Sequence, residues 1–160
     1  MESTDLVIGK KIPTFDNIID NLYLGDIEAA ISDNIEKMDI IVDISNLKYE
    51  QKYGITYYHY HIDDNRDVDI TQFFDDFVNI INNNKSKKIL VHCANSVSRS
   101  VTLVLYYLMA TGKNLKDSFN YLKSRRNQYT KPNIGFIKQL LKAEKKLYKT
   151  TSMRQIDFYK

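Results

Sequence analysis

The stretch Val91-His92-Cys93-Ala94-Asn95-Ser96-Val97-Ser98-Arg99-Ser100 decides the fold and carries the only cysteine of the 160-residue chain. An apolar run at 88–91 indicates a buried strand before it, and a second run at 101–109 indicates a buried helix after it. A loop between a strand and a helix N-terminus favours anion binding, because free backbone N–H groups meet the positive end of the helix dipole there. A thiol in such a place ionises near neutral pH.

The pair Cys93 and Arg99 indicates nucleophilic chemistry on phosphorus. A cysteine alone is more often a buried structural residue. A thiolate with a guanidinium six residues later, however, is equipped to attack a bound oxyanion. The planar fork of Arg99 can hold two phosphoryl oxygens. An arginine at a helix start is unfavourable unless an anion is present, so its position itself favours a bound anion.

The pattern His-Cys-x5-Arg-Ser at 92–100 resembles the phosphate-binding loop of the cysteine-dependent protein phosphatases. Three further stretches narrow the resemblance to the dual-specificity group. They are Asn21-Leu22-Tyr23-Leu24-Gly25, Ile62-Asp63-Asp64-Asn65 followed by Asp69-Ile70, and Pro132-Asn133. These stretches occur in the family's order and at similar spacing between about residues 15 and 147, so the resemblance covers nearly the whole chain.

The resemblance implies a role for each residue of the loop. Cys93 attacks the phosphoryl group and forms a cysteinyl-phosphate, and Ser100 hydrogen-bonds the thiolate and eases its departure. The alternative for Ser100 is a simple position in the first helical turn. His92 orders the loop without contacting substrate. The residues expected around the phosphate are Ala94, Asn95, Ser96, Val97, Ser98 and Arg99.

The resemblance also assigns the general acid to Asp64, which lies 93 − 64 = 29 residues before the cysteine and is followed by Asn65. Asp63 is the second choice and Asp69 the third. The alternative is that this acidic cluster is only a solvated loop. Asn133 is expected to cap the last helix, to fix the phosphate loop with its side chain, or to do both.

Ser96 departs from the family pattern, which has glycine three residues after the cysteine. Glycine is used where the backbone needs unusual dihedral angles or approaches a ligand closely. Strain from a serine there is expected to cost about 1–3 kcal/mol and to leave a reduced but real phosphatase activity. The opposite alternative is that the Ser96 hydroxyl adds a donor for the phosphate.

Alternating strand and helix patterns predict an α/β fold with a short, mainly parallel central sheet flanked by helices. Residues 1–14 are interpreted as a lead-in, 15–148 as the catalytic domain and 149–160 as a C-terminal tail. Thr71 is expected to cap one helix. Asn114 is expected to cap another, whose basic residues Lys123, Arg125 and Arg126 face outward.

The composition limits the partners and the compartment. The net charge of +3 does not by itself argue for nucleic acid. One cysteine allows no internal disulfide, which suits the cytoplasm or the nucleus. No apolar run is long enough for a bilayer, and the N-terminus lacks the order of a signal peptide. The chemistry requires no metal or cofactor, and the expected partners are phosphorylated proteins. Exposed tyrosines or the N-terminal segment leave room for a homodimer.

The predicted function is a protein phosphatase acting on phosphotyrosine and on phosphoserine or phosphothreonine. One alternative is a phosphoprotein-binding pseudophosphatase, although such proteins commonly lose the cysteine or the arginine that this chain keeps. The other is an RNA 5′-phosphatase, supported only by the basic residues Lys123, Arg125, Arg126 and Lys131, since such runs are usually solvated helix faces.

Overall fold

A five-stranded sheet forms the centre of the computed structural model, which describes residues 15–126 and 130–160. The strands are β1 (Phe15–Ile19), β2 (Leu22–Gly25), β3 (Ile40–Asp43), β4 (Thr56–His59) and β5 (Ile89–His92). Their order is β1-β2-β5-β3-β4, with β1 antiparallel to β2 and every other neighbouring pair parallel. The predicted mainly parallel sheet is confirmed. The predicted lead-in at 1–14 lies outside the described residues.

Helices cover both faces of this sheet. The α-helices are α1 (Ile27–Ile31), α2 (Phe74–Asn82), α3 (Arg99–Ala110), α4 (Leu115–Ser124) and α5 (Ile134–Tyr148). Short 3-10 helices occupy Asp33–Lys37, Ile70–Phe73 and Gln155–Tyr159. None of the helices found in the described ranges is long and apolar enough to cross a membrane.

Alternating strand residues divide the core into two clusters, because successive side chains of a strand point to opposite faces. Ile40 and Val42 join the large cluster formed with α2, α3, α4 and α5. Ile41 lies between them in sequence and joins the smaller cluster with Ala29 of α1 and Leu90 of β5. Both faces of the central strands are therefore buried, which explains their continuous apolar sequence.

Local capping sets where the helices begin. The side chains of Asp26 and Asn114 accept hydrogen bonds from backbone N–H groups three residues later, as predicted for Asn114. The prediction for Thr71 is wrong. Its N–H donates to the side chain of Asp69, which caps the 3-10 helix that precedes α2. Asp69 thus has a structural role in starting this segment.

The segment 149–160 packs against the rest of the molecule. Met153 and Phe158 are buried in the large core cluster, and the Phe158 ring lies 4.6 Å from the Phe119 ring of α4. The side chain of Glu144 on α5 accepts hydrogen bonds from the backbone N–H groups of Leu115 and Ser152, so it ties α4 and this segment to the last helix.

The carboxyl ends of the parallel strands meet at one edge of the sheet. Gly25 of β2 and Asp43 of β3 are both in register with His92 of β5, and His59 of β4 is in register with Asp43. Ligands of α/β sheets bind outside this edge of the strands. The stretch that begins with Cys93 leaves the sheet at this edge.

Candidate active site

Cys93 lies at the start of the loop between β5 and α3. The residue is 1% exposed, and its Sγ lies 3.1 Å from the Oγ of Ser100 in the first turn of α3. No side chain caps α3 at Ser98, and the first N–H groups of a helix have no partner within it. The sulfur therefore contacts a helix start whose N–H groups are not satisfied by a cap.

The loop itself adds further donors. Within the part of the chain that the structure describes, the backbone N–H groups of Ser96, Val97 and Ser98 donate to no protein acceptor. Buried N–H groups are almost always paired in native proteins, because leaving one unpaired costs as much as a lost hydrogen bond. Several such groups in sequence beside a sulfur atom indicate an oxyanion site.

Arg99 is anchored through one nitrogen. Its Nη1 donates to the carbonyl oxygens of Ile44 and Ile62, both at 3.1 Å, and more weakly to that of Ser45 at 3.5 Å. The Nε and Nη2 groups of Arg99 make no hydrogen bond with any residue in the described ranges. The guanidinium is thus held through Nη1, while Nε and Nη2 can donate together to two oxygens of an oxyanion.

His92 is neutral in this environment. It is fully buried, and burial lowers its pKa from the ordinary value more strongly than the nearby carboxylate of Asp43 raises it. Its Nδ1 lies 3.3 Å from the carbonyl oxygen of Cys93, and its Nε2 lies 2.8 Å from the hydroxyl of Tyr49. The tautomer with the proton on Nδ1 fits both contacts, so the imidazole holds the backbone of Cys93.

Tyr49 completes the support behind His92. Burial, followed by the negative charge of Asp43, raises the pKa of the Tyr49 hydroxyl, so this group stays protonated and can donate. Asp43 is itself held by Ser45, whose N–H and hydroxyl both donate to it at 2.8 and 2.7 Å. Sequence patterns gave no signal for Tyr49, which lies 43 residues before its partner.

Ser96 adopts the left-handed backbone conformation, with φ = 60°. A residue other than glycine in this region costs about 1–3 kcal/mol and persists only where its surroundings hold it. Ser96 is completely buried, and Arg126 contacts it. The Ser96 hydroxyl oxygen accepts a hydrogen bond from Arg126, so this hydroxyl group is bound within the protein.

The prediction that the basic residues of α4 face outward is wrong for Arg126. Its guanidinium is buried, pairs with the carboxylate of Asp16 and donates to Thr130. The physical reason is that α4 ends at Ser124, so the helical periodicity that places Arg125 outside does not extend to Arg126. The proposed surface patch for RNA loses one of its four members.

The acidic candidates are held differently. The Oδ1 of Asp64 accepts a hydrogen bond from the Nδ2 of Asn133 at 2.9 Å, at the start of α5. The Oδ1 of Asp63 accepts from Asn46 at 3.1 Å, and Asp69 caps the 3-10 helix. Among the three, Asp64 is the one bonded to the residue that also contacts the phosphate loop.

Asn133 joins the loop, the acid and the last helix. Its Oδ1 caps α5 by accepting from the N–H of Phe136 at 2.9 Å, as predicted. The expectation that its side chain fixes the phosphate loop is wrong, because that contact comes from its backbone N–H, which donates to the Ser98 hydroxyl at 2.9 Å. Among the described residues, the Asn133 side chain bonds only the N–H of Phe136 and the carboxylate of Asp64.

Gly135 brings the acid-bearing loop close to α5. A Cβ added at this glycine would lie 1.9 Å from the carbonyl oxygen of Arg66, which no side chain can do. The loop that carries Asp64 therefore rests directly on the backbone of the first turn of α5. This contact was not predicted from the sequence, although the glycine follows closely after the Pro-Asn pair.

Replacing Asn133 by alanine is expected to lower both stability and turnover. Loss of the cap costs about 1 kcal/mol, and loss of the contact to Asp64 leaves the acid unpositioned. Asn114→Ala is the matched control, because Asn114 caps α4 with a similar hydrogen bond at 2.8 Å and does not contact the site residues. Melting temperature and kcat should both fall for Asn133→Ala, whereas only the melting temperature should fall for Asn114→Ala. Equal kcat values in the two variants would contradict the role given to Asn133.

The structure thus brings the predicted residues together in two groups. Cys93, Ser100 and the loop lie at the start of α3, and Asp64 is connected to the loop through Asn133. His59 and His61 are exposed on and after β4, and His59 lies 3.9 Å from the carboxylate of Asp43. Among the residues that the structure describes, no group of three or more His, Cys, Asp and Glu side chains could hold a metal ion.

Comparisons with known proteins identify the family of the chain. A family model for the catalytic domain of dual specificity phosphatases matches residues 22–146. Protein 123R of Invertebrate iridescent virus 6, named as a tyrosine phosphatase, is 35% identical over 138 residues, which are 84% of this chain and 95% of that protein. Human dual specificity protein phosphatase 5 is 32% identical over 141 residues, 84% of this chain but only 36% of that longer protein.

A crystal structure of a single-residue variant of human DUSP28 has the same fold. It matches with a TM-score of 0.78 at 26% identity, and the match covers 85% of this chain and 97% of that one. The region matched by the family model, residues 22–146, contains the sheet edge, the loop after β5 and the start of α5, which carry the residues described above. The chain therefore belongs to the dual-specificity phosphatases, a family of cysteine-dependent protein phosphatases.

Proposed function

We propose that this phosphatase hydrolyses phosphotyrosine, phosphoserine and phosphothreonine in proteins through a cysteinyl-phosphate intermediate. The arrangement at the start of α3 carries the proposal. The sulfur of Cys93 lies beside unpaired backbone N–H groups, and the guanidinium of Arg99 is anchored at one nitrogen with its other two unpaired among the described residues. A dianionic phosphoryl group has the charge and the shape to use these donors.

In the first step the Cys93 thiolate attacks phosphorus. The new S–P bond forms while the bond from phosphorus to the ester oxygen breaks. Arg99 and the loop N–H groups bind the nonbridging oxygens, whose charge they stabilise. Asp64, protonated at this stage, donates its proton to the leaving oxygen, so the product leaves as a neutral alcohol or phenol.

In the second step water hydrolyses the cysteinyl-phosphate. The Asp64 carboxylate accepts a proton from the water as its oxygen attacks phosphorus, which restores the acid for the next cycle. The S–P bond breaks, and the electron pair returns to sulfur. The Ser100 hydroxyl, 3.1 Å from Sγ, donates a hydrogen bond to the departing thiolate and stabilises it. Inorganic phosphate is the second product.

The exposure of the acid-bearing loop supports a broad choice of substrate. Asp63, Asp64 and Asn65 are all exposed, so the loop leaves the side of the site open to solvent. An open site admits the short side chains of phosphoserine and phosphothreonine as well as phosphotyrosine. The lone cysteine in a nucleophilic role also supports a reducing compartment, the cytoplasm or the nucleus.

A phosphopeptide panel tests the proposal. Peptides with one phosphotyrosine, one phosphothreonine, one phosphoserine, or a phosphothreonine and a phosphotyrosine together are incubated with the protein, and released phosphate is measured. We expect hydrolysis of phosphotyrosine and of at least one hydroxyl-amino-acid ester, with no release above background by Cys93→Ser. Binding of a phosphopeptide by the native protein without release of phosphate would favour the phosphoprotein-binding alternative. The left-handed backbone of Ser96 is the feature of the loop expected to reduce activity.

A further inference from the structure

We propose that Arg126 is a positioning residue that holds Ser96 in the left-handed conformation, with Asp16 as its counter-ion. This inference rests on the proposed function, since it concerns the loop that binds the phosphoryl group. Glycine takes up φ = 60° without a steric penalty, whereas serine needs an external force to stay there. The contacts of Arg126 supply that force.

The Arg126 side chain makes two hydrogen bonds with Ser96. The Nη1 of Arg126 donates to the carbonyl oxygen of Ser96, and its Nη2 donates to the hydroxyl oxygen of the same residue, both at 2.8 Å. One rigid fork thus fixes the backbone and the side chain of Ser96 together. The second bond exists only because residue 96 is a serine, since glycine offers no hydroxyl oxygen.

The charge of Arg126 is buried and paired. The guanidinium of Arg126 is entirely buried, and its Nε donates to the carboxylate of Asp16 on β1 at 2.9 Å. Thr130 accepts a further bond from Nη1 at 3.2 Å. Burying a charge is costly unless the partner and the hydrogen bonds are in place. All three nitrogens have acceptors, so this arginine is committed to connecting β1, the loop and Thr130.

The two loop residues after Ser96 are also held, by backbone groups that follow Arg126 in the chain. The N–H of Lys131 donates to the carbonyl oxygen of Val97 at 3.1 Å, and the N–H of Asn133 donates to the hydroxyl of Ser98 at 2.9 Å. Three successive loop residues are therefore bound through their oxygens, while their own N–H groups keep no protein partner within the described ranges. Fixing the oxygens keeps those N–H groups free for a phosphoryl group.

A double-mutant cycle tests this inference. The variants are Ser96→Gly, Arg126→Met, Arg126→Lys and the combinations of Ser96→Gly with each arginine change. Arg125→Met is the control, because Arg125 is exposed and bonds only Asn17 among the described residues. The measurements are the dissociation constant for tungstate, a tetrahedral oxyanion, kcat/KM for 4-nitrophenyl phosphate, and the melting temperature.

With Ser96 present, Arg126→Met and Arg126→Lys are expected to weaken tungstate binding and kcat/KM about 10- to 100-fold, as the strain of a left-handed serine is no longer opposed. Arg126→Lys keeps a charge for Asp16 and so provides the variant that folds. In the Ser96→Gly background the same changes should cost less than about threefold, since glycine needs no support. Ser96→Gly alone should raise kcat/KM only modestly, and Arg125→Met should change neither quantity.

An equal loss in the serine and glycine backgrounds would overturn the inference, because Arg126 would then act only through general stability. Unchanged tungstate binding in both arginine variants would overturn it as well. Tungstate binding is measured without turnover, so the Ser96–Arg126 coupling is tested by binding, whereas the proposed function is tested by hydrolysis with the native protein. The two can therefore fail separately.

Discussion

Replacing Cys93 by serine is expected to lower the turnover of every phosphoester substrate by at least about 10⁴-fold, which is the scale seen when an enzyme loses its nucleophile. A serine hydroxyl is not ionised near neutral pH, whereas a thiol ionises readily. The covalent intermediate then does not form. Turnover of 4-nitrophenyl phosphate and of a phosphotyrosine peptide measures the loss.

The fold and the oxyanion site should survive this change. Cys93 is buried and touches the Ser100 hydroxyl, and a serine oxygen is small enough to keep that contact. We therefore expect a melting temperature and a tungstate affinity close to those of the native protein. If turnover stayed within tenfold of the native value while tungstate still bound, water would be attacking phosphorus directly, and the proposed intermediate would be wrong.

Replacing Asp64 by asparagine is expected to reduce kcat by about 10²- to 10⁴-fold for esters with basic leaving groups, the range typical of a lost general acid. Phosphoserine and phosphothreonine peptides should be affected most, because an alkoxide leaves poorly without a proton. 4-Nitrophenyl phosphate should be affected least, because nitrophenolate leaves without one. The measurement is kcat across a series of phosphate esters ordered by the acidity of the leaving group.

Asp63→Asn provides the matched control for the acid. Asp63 adjoins Asp64 in the same exposed loop, but its carboxylate is bonded to Asn46 and not to Asn133. We expect Asp63→Asn to change kcat by less than about tenfold, with the same small effect on every ester, because it removes no proton donor. A loss with Asp63→Asn that grows with the basicity of the leaving group would move the acid to Asp63. An equal loss for every ester in Asp64→Asn would contradict the general-acid role of Asp64.

The sequence predicts those parts of this site that depend on local or periodic signals. Apolar runs on both sides of Cys93 predict the strand and helix that hold the loop. Asn114 and Asn133 can be recognised as caps because asparagine is favoured at the N-cap and each precedes a run with apolar residues at helical spacing. In the structure each accepts a hydrogen bond from an N–H group three positions later. The left-handed backbone of Ser96 could be anticipated from the family's glycine at that position.

Contacts between distant segments could not be predicted from one sequence. Arg126 lies beyond the end of α4, where helical periodicity no longer gives its direction, and Asp16 is 110 residues away from it. Tyr49 reaches His92 from a stretch without regular secondary structure. Arg99 is anchored by carbonyl oxygens, which every residue has, so no residue type in the sequence marks them.

The triple connection of Asn133 makes catalysis depend on the first turn of one helix, α5. Helix ends fray at free energies well below that of global unfolding. When the first turn of α5 opens, the cap, the contact to Asp64 and the bond to the Ser98 hydroxyl are lost together. Warming should therefore inactivate the phosphatase while its sheet and core are still intact, so the working temperature range of this protein is narrower than its range of folding.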